Sequence, residues 1–335
     1  MNHKYSDKTV LVTGAGGPAI AGMISVLREW GYRIVAIDMM QHASGFYLAD
    51  RAYVVPAGDA NEFLPYLKEI CVAEKVDAVV SVVDEELSSV LELEKMGIVV
   101  LQPRLDFVEF SLDKLRCMQE LREAGLTAPK TWLANELPKN VSYPLFVKPR
   151  SGRGSRGCGR VNSAEDMEQF LAFSRYDREQ LIAQTFVAGS EFTVSVIVGR
   201  DGEVQGVVPK QIVSKIGVTK VAITRRNSKI EAVCCAVQHF FKADGPFNVQ
   251  LVLDSNDEPW IFEINPRFST SITLTHAAGV DELGGLLAQA MFGRSSYSFS
   301  GWKEGVVLVR QTKDEFISEA KFNRLNADTN FRLEG

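Results

Sequence analysis

The sequence predicts an α/β fold with two textures: a Rossmann-like parallel sheet in the first third, then an α+β region of mixed, largely antiparallel strands. Three observations predict it. Short apolar runs alternate with helix-periodic segments up to about residue 105, the pattern of a parallel sheet covered on both faces. Beyond residue 190, partly alternating apolar and polar positions flank an Asp201-Gly202 turn signal, which reads as a hairpin. The length of 335 residues is more than one core usually fills and implies two or three domains.

Taken in order, Thr9 to Thr13 reads as a buried strand that ends in a turn at Gly14, Gly16 and Gly17. Ala19 to Trp30 carries helical periodicity and stops before Gly31. Further strands run from Arg33 to Ile37, ending at Asp38, from Ala78 to Val83 and from Gly97 to Leu101. Ser111 is placed to cap a helix from Leu112 to Ala124, ended by Gly125. Leu145 to Lys148 is a short strand that runs into a Gly/Ser/Arg loop, Pro149 to Gly159. Ser163, with Asp166 three residues on, opens a helix through a capping-box variant. Glu191 to Val198 and Glu203 to Val208 are the hairpin strands. A helix over Ser228 to Lys242 then precedes two more strands, Phe247 to Leu253 and Pro259 to Asn265.

Composition narrows the function. The chain is 46% hydrophobic and 24% charged, with a net charge of -5 and its Lys and Arg scattered among acids. It lacks the basic stripe of a nucleic-acid binder, so no nucleic-acid partner is expected. The five cysteines form no C-x-x-C pair and the four histidines show no metal-ligand spacing, which favours reduced thiols over a zinc site. The N-terminus has no apolar signal core, and no apolar run approaches the roughly 20 residues that span a bilayer. A cytoplasmic protein with no membrane partner is the expectation.

Gly14-Ala15-Gly16-Gly17 between a strand and a helix, with Asp38 ending the next strand, has the outline of a dinucleotide fingerprint. The third glycine of G-x-G-x-x-G is replaced by Ala19. A tight strand-to-helix turn favours glycine in any such sheet, so cofactor binding and a purely structural turn both remain open at this point.

The second half holds a separate phosphate-binding candidate. Lys148 ends a strand beside a loop rich in backbone N–H groups, and such a pairing can neutralise and wrap phosphates. The segment Leu181 to Glu191 joins two strands; its backbone can meet an adenine edge, and Glu191 can meet ribose hydroxyls or simply open a strand. Gln250 on one strand and Glu263 and Asn265 on the next offer oxygen ligands, and Glu263 and Asn265 share a face. Mg²⁺ takes few protein oxygens and shares its sphere with phosphates. Arg267, two residues on, would stabilise charge on a transferred phosphoryl group.

The order Lys114, Lys148 with its glycine loop, Gly189-Ser190-Glu191, Gln250 and Glu263-Ile264-Asn265-Pro266-Arg267 resembles the ATP-grasp superfamily, and within it the synthetase half of carbamoyl-phosphate synthase large subunits. The resemblance implies a pre-ATP-grasp domain over residues 1–110, an ATP-grasp domain over 111–295 with a mobile lid near 130–187, and a C-terminal segment, 296–335, packed on the latter. It implies ATP and Mg²⁺, with Mn²⁺ as a substitute, small-molecule carboxylate and amine substrates, and leaves a homodimer open. Lys114 and Lys148 would hold the α- and β-phosphates, Gln184 and the Phe186 backbone the adenine, Glu191 the ribose, and Gln250, Glu263 and Asn265 one or two metal ions. Arg267 would steady an acyl phosphate. The early glycine turn would then line an acceptor site.

The expected reaction is amide formation through an acyl phosphate, with ADP and phosphate released. A bicarbonate- and ammonia-using enzyme is the alternative within the class, and an NAD-binding oxidoreductase or a nucleotide sensor the alternative outside it. For substrate, Lys210, Lys215 and Arg225 are candidate grips or plain surface cations, and Lys215 to Thr219 a candidate mobile loop. Asp84 and Glu85 either attract an amine at a strand's carboxyl end or begin a helix.

Overall fold

The computed structural model describes residues 7–293, 297–320 and 322–323. Residues 7–124 open with a parallel sheet: β1 (Thr9–Val12), α1 (Ile20–Glu29), β2 (Arg33–Asp38), β3 (Arg51–Val54), α2 (Phe63–Ala73), β4 (Ala78–Val80), α3 (Leu87–Val90) and β5 (Val99–Val100). The strand order is β3-β2-β1-β4-β5, all pairs parallel. Strand alternation sends Val10, Val12, Ile34 and Ala36 to one face, beneath α1. Leu11, Val35, Ile37 and Val79 go to the other, beneath α2. The sheet is therefore apolar on both sides, as parallel sheets must be.

Two helices follow, α4 (Leu105–Leu112) and α5 (Lys114–Glu123). The first was not foreseen, and the expected cap moves with it. Ser111 lies buried inside α4, and its hydroxyl has no partner among the described residues. Asp113 breaks the chain between the helices, and its carboxylate accepts from Leu115 N and Arg116 N, each at 3.2 Å. Phe107 and Phe110 draw α4 into the core shared with the later sheet, which outweighs the local capping preference of serine.

A four-stranded antiparallel sheet comes next, from β6 (Thr131–Leu133), β7 (Leu145–Pro149), β8 (Gly159–Val161) and β9 (Leu181–Thr185), in the order β6-β9-β7-β8. Helix α6 (Ala164–Phe173) covers it. Ser163 Oγ accepts from Asp166 N at 3.1 Å, while the Asp166 carboxylate accepts from Asn162 N at 2.9 Å, the predicted capping variant shifted by one residue. The sheet has an apolar core of its own, including Leu145, Val147, Val161, Met167 and Leu181.

The last sheet is six-stranded and antiparallel: β10 (Ser190–Val198), β11 (Val204–Ile216), β12 (Val218–Thr224), β13 (Phe247–Leu253), β14 (Pro259–Asn265) and β15 (Val307–Val309), with helices α7 (Ser228–Phe241), α8 (Ile272–Ala277) and α9 (Glu282–Phe292). Its order is β14-β13-β10-β11-β12-β15. Lys215 to Thr219 is not a loop: Lys215 pairs with Thr219 and Ile216 with Val218. Gly217, at φ +66°, supplies the left-handed residue that so tight a reversal demands. One face of this sheet is apolar, with Phe192, Val194, Val249 and Leu251 against α5 and α7. The opposite face is polar in register: Thr193, Gln250 and Glu263 lie in one row, and Ser195, Asn248 and Asn265 in the next. Residues 324–335 of the expected C-terminal segment lie outside the described residues.

Candidate functional site

A cavity of about 300 Å³ opens where the four-stranded sheet faces the polar face of the six-stranded one. Its lining includes Lys114, Lys148, Gln184, Phe186, Glu191, Lys215, Gln250, Glu263 and Glu85. Residues more than a hundred positions apart in the sequence thus meet in one place. Among the described residues, six cations line the cavity (Lys114, Lys148, Arg153, Arg156, Arg175 and Lys215) against three carboxylates (Glu85, Glu191 and Glu263). The excess is positive, in a protein whose net charge is negative.

Lys148 is buried on β7. Its Nζ donates to Phe262 O at 2.9 Å and stands 4.0 Å from Glu263 Oε2, which ties the two sheets across the cavity. Burial pushes its ammonium down to about 8, Glu263 opposes that shift and Lys114 adds to it. Lys114, in the first turn of α5, donates to Gly152 O at 2.6 Å, so it grips the glycine loop from below. At the opposite end Lys215 Nζ meets Glu191 Oε1 at 2.7 Å. Gln184 is turned inward, donating to Thr131 Oγ1 at 3.1 Å. The Phe186 N–H is committed to Pro144 O at 3.2 Å, and the adjacent Thr185 and Val187 line the cavity as well.

Gln250 and Glu263 are cross-strand partners. Asn265 and Arg267 sit just past them. Arg267 Nη2 donates to Asn265 Oδ1 at 3.3 Å, and the Asn265 Nδ2 atom is buried without a partner among the described residues. One carboxylate with two amide oxygens is a poor cage for a cation by itself. It is a fitting partial set for Mg²⁺, which completes its octahedron with phosphate and water.

The three consecutive acids after β4 take three different partners. Asp84 is buried and receives Arg267 Nε at 2.5 Å. Burial pushes the Asp84 carboxyl up, but Arg267 outweighs it and holds the group below the usual carboxylate range. Burial likewise disfavours the Arg267 charge, and Asp84 more than restores it. Glu85 binds Arg153 of the glycine loop at 2.8 Å. Glu86 turns inward to Ser81, and burial pushes its carboxyl up to about 7. The reading of Asp84 as an attractor for amines is thereby corrected, since its charge is taken by Arg267.

Two other substrate candidates fall outside the cavity. Arg225 follows β12 and its Nε donates to Gln211 Oε1 at 3.2 Å; it is not among the lining residues. Lys210 is fully buried, donating to Ser195 Oγ at 2.7 Å and Thr275 Oγ1 at 3.0 Å, with Ser195 in turn donating to Glu282 at 2.8 Å. It braces α8 and α9 on the sheet.

The glycine turn also resolves. Gly14 takes φ +61°, and a Cβ there would come 2.7 Å from Val83 Cγ2, so the turn requires glycine. Asp38 accepts from Gly16 N at 2.7 Å and Met40 N at 2.8 Å. The acid that would read a ribose is occupied in holding its own turn. The turn is absent from the cavity lining.

Residues 111–271 match the ATP-grasp domain family, and residues 10–100 match the family described as PylC-like, N-terminal domain. The chain carries an ATP-grasp domain. It is 24% identical over 311 residues to the carbamoyl phosphate synthase large chain of Pyrococcus furiosus, covering 81% of this chain and 29% of that one. The chain thus spans under a third of that relative's length. Among solved structures, the biotin carboxylase domain of Hydrogenobacter thermophilus 2-oxoglutarate carboxylase, in complex with MgADP, ADP and bicarbonate, superposes with a TM-score of 0.71 at 18% identity, covering 87% of this chain and 71% of that one. The L-amino acid ligase of Bacillus licheniformis gives 0.68 at 18% identity, with 85% and 74% covered. These likenesses establish the fold of an N-terminal parallel-sheet domain joined to ATP-grasp sheets. No described helix is long and apolar enough to cross a membrane.

Several lining residues escaped the sequence reading. Phe146 shares a strand face with Lys148 by simple alternation, which is the signal that locates it. Trp260 and Phe262 from β14 join it in the cavity wall. Arg153 lay within the loop already singled out, but its partner Glu85 is 68 residues away.

Proposed function

We propose that the chain is an ATP- and Mg²⁺-dependent ligase that activates a carboxylate as an acyl phosphate and transfers the acyl group to an amine. The observation that carries this is the cation-rich cavity whose floor is the Gln250–Glu263 pair and whose roof is the glycine loop. Phe146, Phe186, Trp260 and Phe262 would form the adenine slot, with the backbone beside Gln184 and Phe186 meeting the base edge. Glu191 would take the ribose hydroxyls in exchange for Lys215. Lys114 and Lys148 would hold the α- and β-phosphates. Gln250, Glu263 and Asn265 would hold Mg²⁺, which offsets the charge of the triphosphate.

In the first step a carboxylate oxygen attacks the γ-phosphorus, and the bond to the ADP oxygen breaks. The lysines reduce the repulsion between the two anions. The glycine loop, held by Lys114 and Glu85, keeps water from the acyl phosphate. An amine nitrogen then attacks the acyl carbon, its proton passes to solvent, and phosphate leaves with its oxygen. Arg267 steadies the negative charge at both stages.

The test is ADP and phosphate release from MgATP across pools of amino acids, organic acids and bicarbonate. Release should depend on substrate and disappear in Glu263→Ala. Formation of AMP and pyrophosphate, or tight NADH binding with no ATP turnover, would refute the reading.

A further inference from the structure

Arg267 lies just beyond β14, on a short stretch of chain whose backbone N–H returns to Asn265 O at 2.8 Å. A free arginine there would sample many rotamers, at an entropic cost each time it was needed. Instead the guanidinium is fixed at all three nitrogens: Nε on Asp84 Oδ1 at 2.5 Å, Nη1 on Phe268 O at 3.3 Å and Nη2 on Asn265 Oδ1 at 3.3 Å. Its own carbonyl accepts from Asn248 Nδ2 at 3.0 Å. Two of these partners are sequence neighbours and fix only the local chain. The charged partner, Asp84, comes from 183 residues away, at the carboxyl end of the parallel sheet. The side chains are 11% and 6% exposed, so the pair is shielded from solvent on both sides.

A guanidinium has five N–H donors. Three are spent on Asp84, Phe268 and Asn265, which leaves one on each Nη without a partner among the described residues. Each of these two donors can meet an oxygen of a phosphoryl or carboxylate group. We propose that Asp84 is the positioning residue of this site: from the N-terminal sheet it aims the two free N–H groups of Arg267 at the phosphoryl group being transferred. The assignment rests on the ligase reading above. It gives the N-terminal domain a part in the chemistry beyond the Glu85 contact to the glycine loop, because the direction of Arg267 depends on how the parallel sheet docks.

The test uses the full chain loaded with MgADP and titrated with inorganic phosphate, which stands for the transferred group and requires no knowledge of the carboxylate. Asp84→Asn, which keeps the shape and removes the charge, should weaken phosphate binding on the order of tenfold or more, the size of one charge-assisted hydrogen bond. Its MgADP affinity should stay within about twofold, which also reports that the variant is folded. Asp84→Glu should recover part of the loss. In an Arg267→Gln background, Asp84→Asn should change phosphate affinity by less than about twofold, since a residue that acts only through Arg267 has nothing left to aim. Equal effects of Asp84→Asn with and without Arg267 would overturn the proposal, as would a wild-type MgADP complex that ignores phosphate. Failure of the wild type to bind MgADP would instead refute the ligase reading itself.

Discussion

Lys148 offers the sharpest test of the nucleotide site, because its charge is costly in the empty protein. Burial brings its ammonium down to about 8 from an ordinary 10.5. A polyphosphate placed beside it would favour the charged form and return the pKa toward the ordinary value. Binding then takes up a proton wherever the empty site has lost one. Since the bound form has the higher pKa, affinity is full below about pH 8 and falls as pH rises between the two values. At pH 9 about nine in ten empty molecules carry a neutral Lys148, so affinity should be about tenfold weaker than at pH 7, or ~1.4 kcal/mol. The assay is calorimetric titration with ADP in buffers of differing ionisation heat, run in EDTA to keep divalent ions off Glu263. Lys148→Arg should bind ADP with no such fall, and Lys148→Met should bind weakly at every pH. An affinity that is flat from pH 7 to 9, or an equal decline in Lys148→Arg, would show that Lys148 does not meet the phosphates.

Glu85→Gln should release the glycine loop. The pair with Arg153 is about one-third exposed on each side, which limits it to about 1 kcal/mol, so trypsin should cut after Arg153 and Arg156 up to about fivefold faster; an unchanged rate refutes the latch. Lys210→Met should lower stability by about 3 kcal/mol in urea unfolding, since it strands a buried Glu282. The carboxyl of Glu282 is already pushed up by burial, and without Lys210 it rises further. That penalty should therefore shrink as pH falls and Glu282 takes up a proton, and grow as pH rises; a penalty independent of pH counts against the brace. Asp38→Ala should cost roughly 1 kcal/mol through its two lost turn bonds and leave MgADP affinity unchanged; loss of NADH binding in this variant would revive the dinucleotide reading.

Local signals were legible wherever the physics is local. The parallel sheet followed from alternation of apolar runs, and Ser163 and Asp201-Gly202 marked their helix and turn correctly. Helix α4 was hidden because it is only eight residues long, and its one exposed polar pair, Asp106 and Glu109, is too short a signal beside the buried Phe107, Val108, Phe110 and Ser111. Lys215 to Thr219 looked like a loop because its two strands lie at the outer part of the sheet, where Val213 and Ile216 stay exposed. The cavity residues were named from oxygen donors and cations at strand ends, and most of them meet. What the sequence did not disclose was their pairing. Asp84 with Arg267 and Glu85 with Arg153 join segments that only the tertiary fold brings together, and no spacing rule connects them.

The separate core of the four-stranded sheet has a consequence for how the molecule breathes. Its apolar residues pack on one another and on α6, while α1 shares its core with α8 and α9. Tilting the small sheet away would therefore open no apolar core. The bonds to be broken among the described residues include polar ones: Lys148 to Phe262, Arg150 to Asp113, the Lys114 backbone to Arg150, Lys114 to Gly152 and Arg153 to Glu85. Amide deuterium uptake should accordingly divide the chain into two classes. Residues 130–187 should exchange as one cooperative block with a low opening energy, and the rest should follow global unfolding. A ligand seated in the cavity would slow the first class and leave the second nearly untouched.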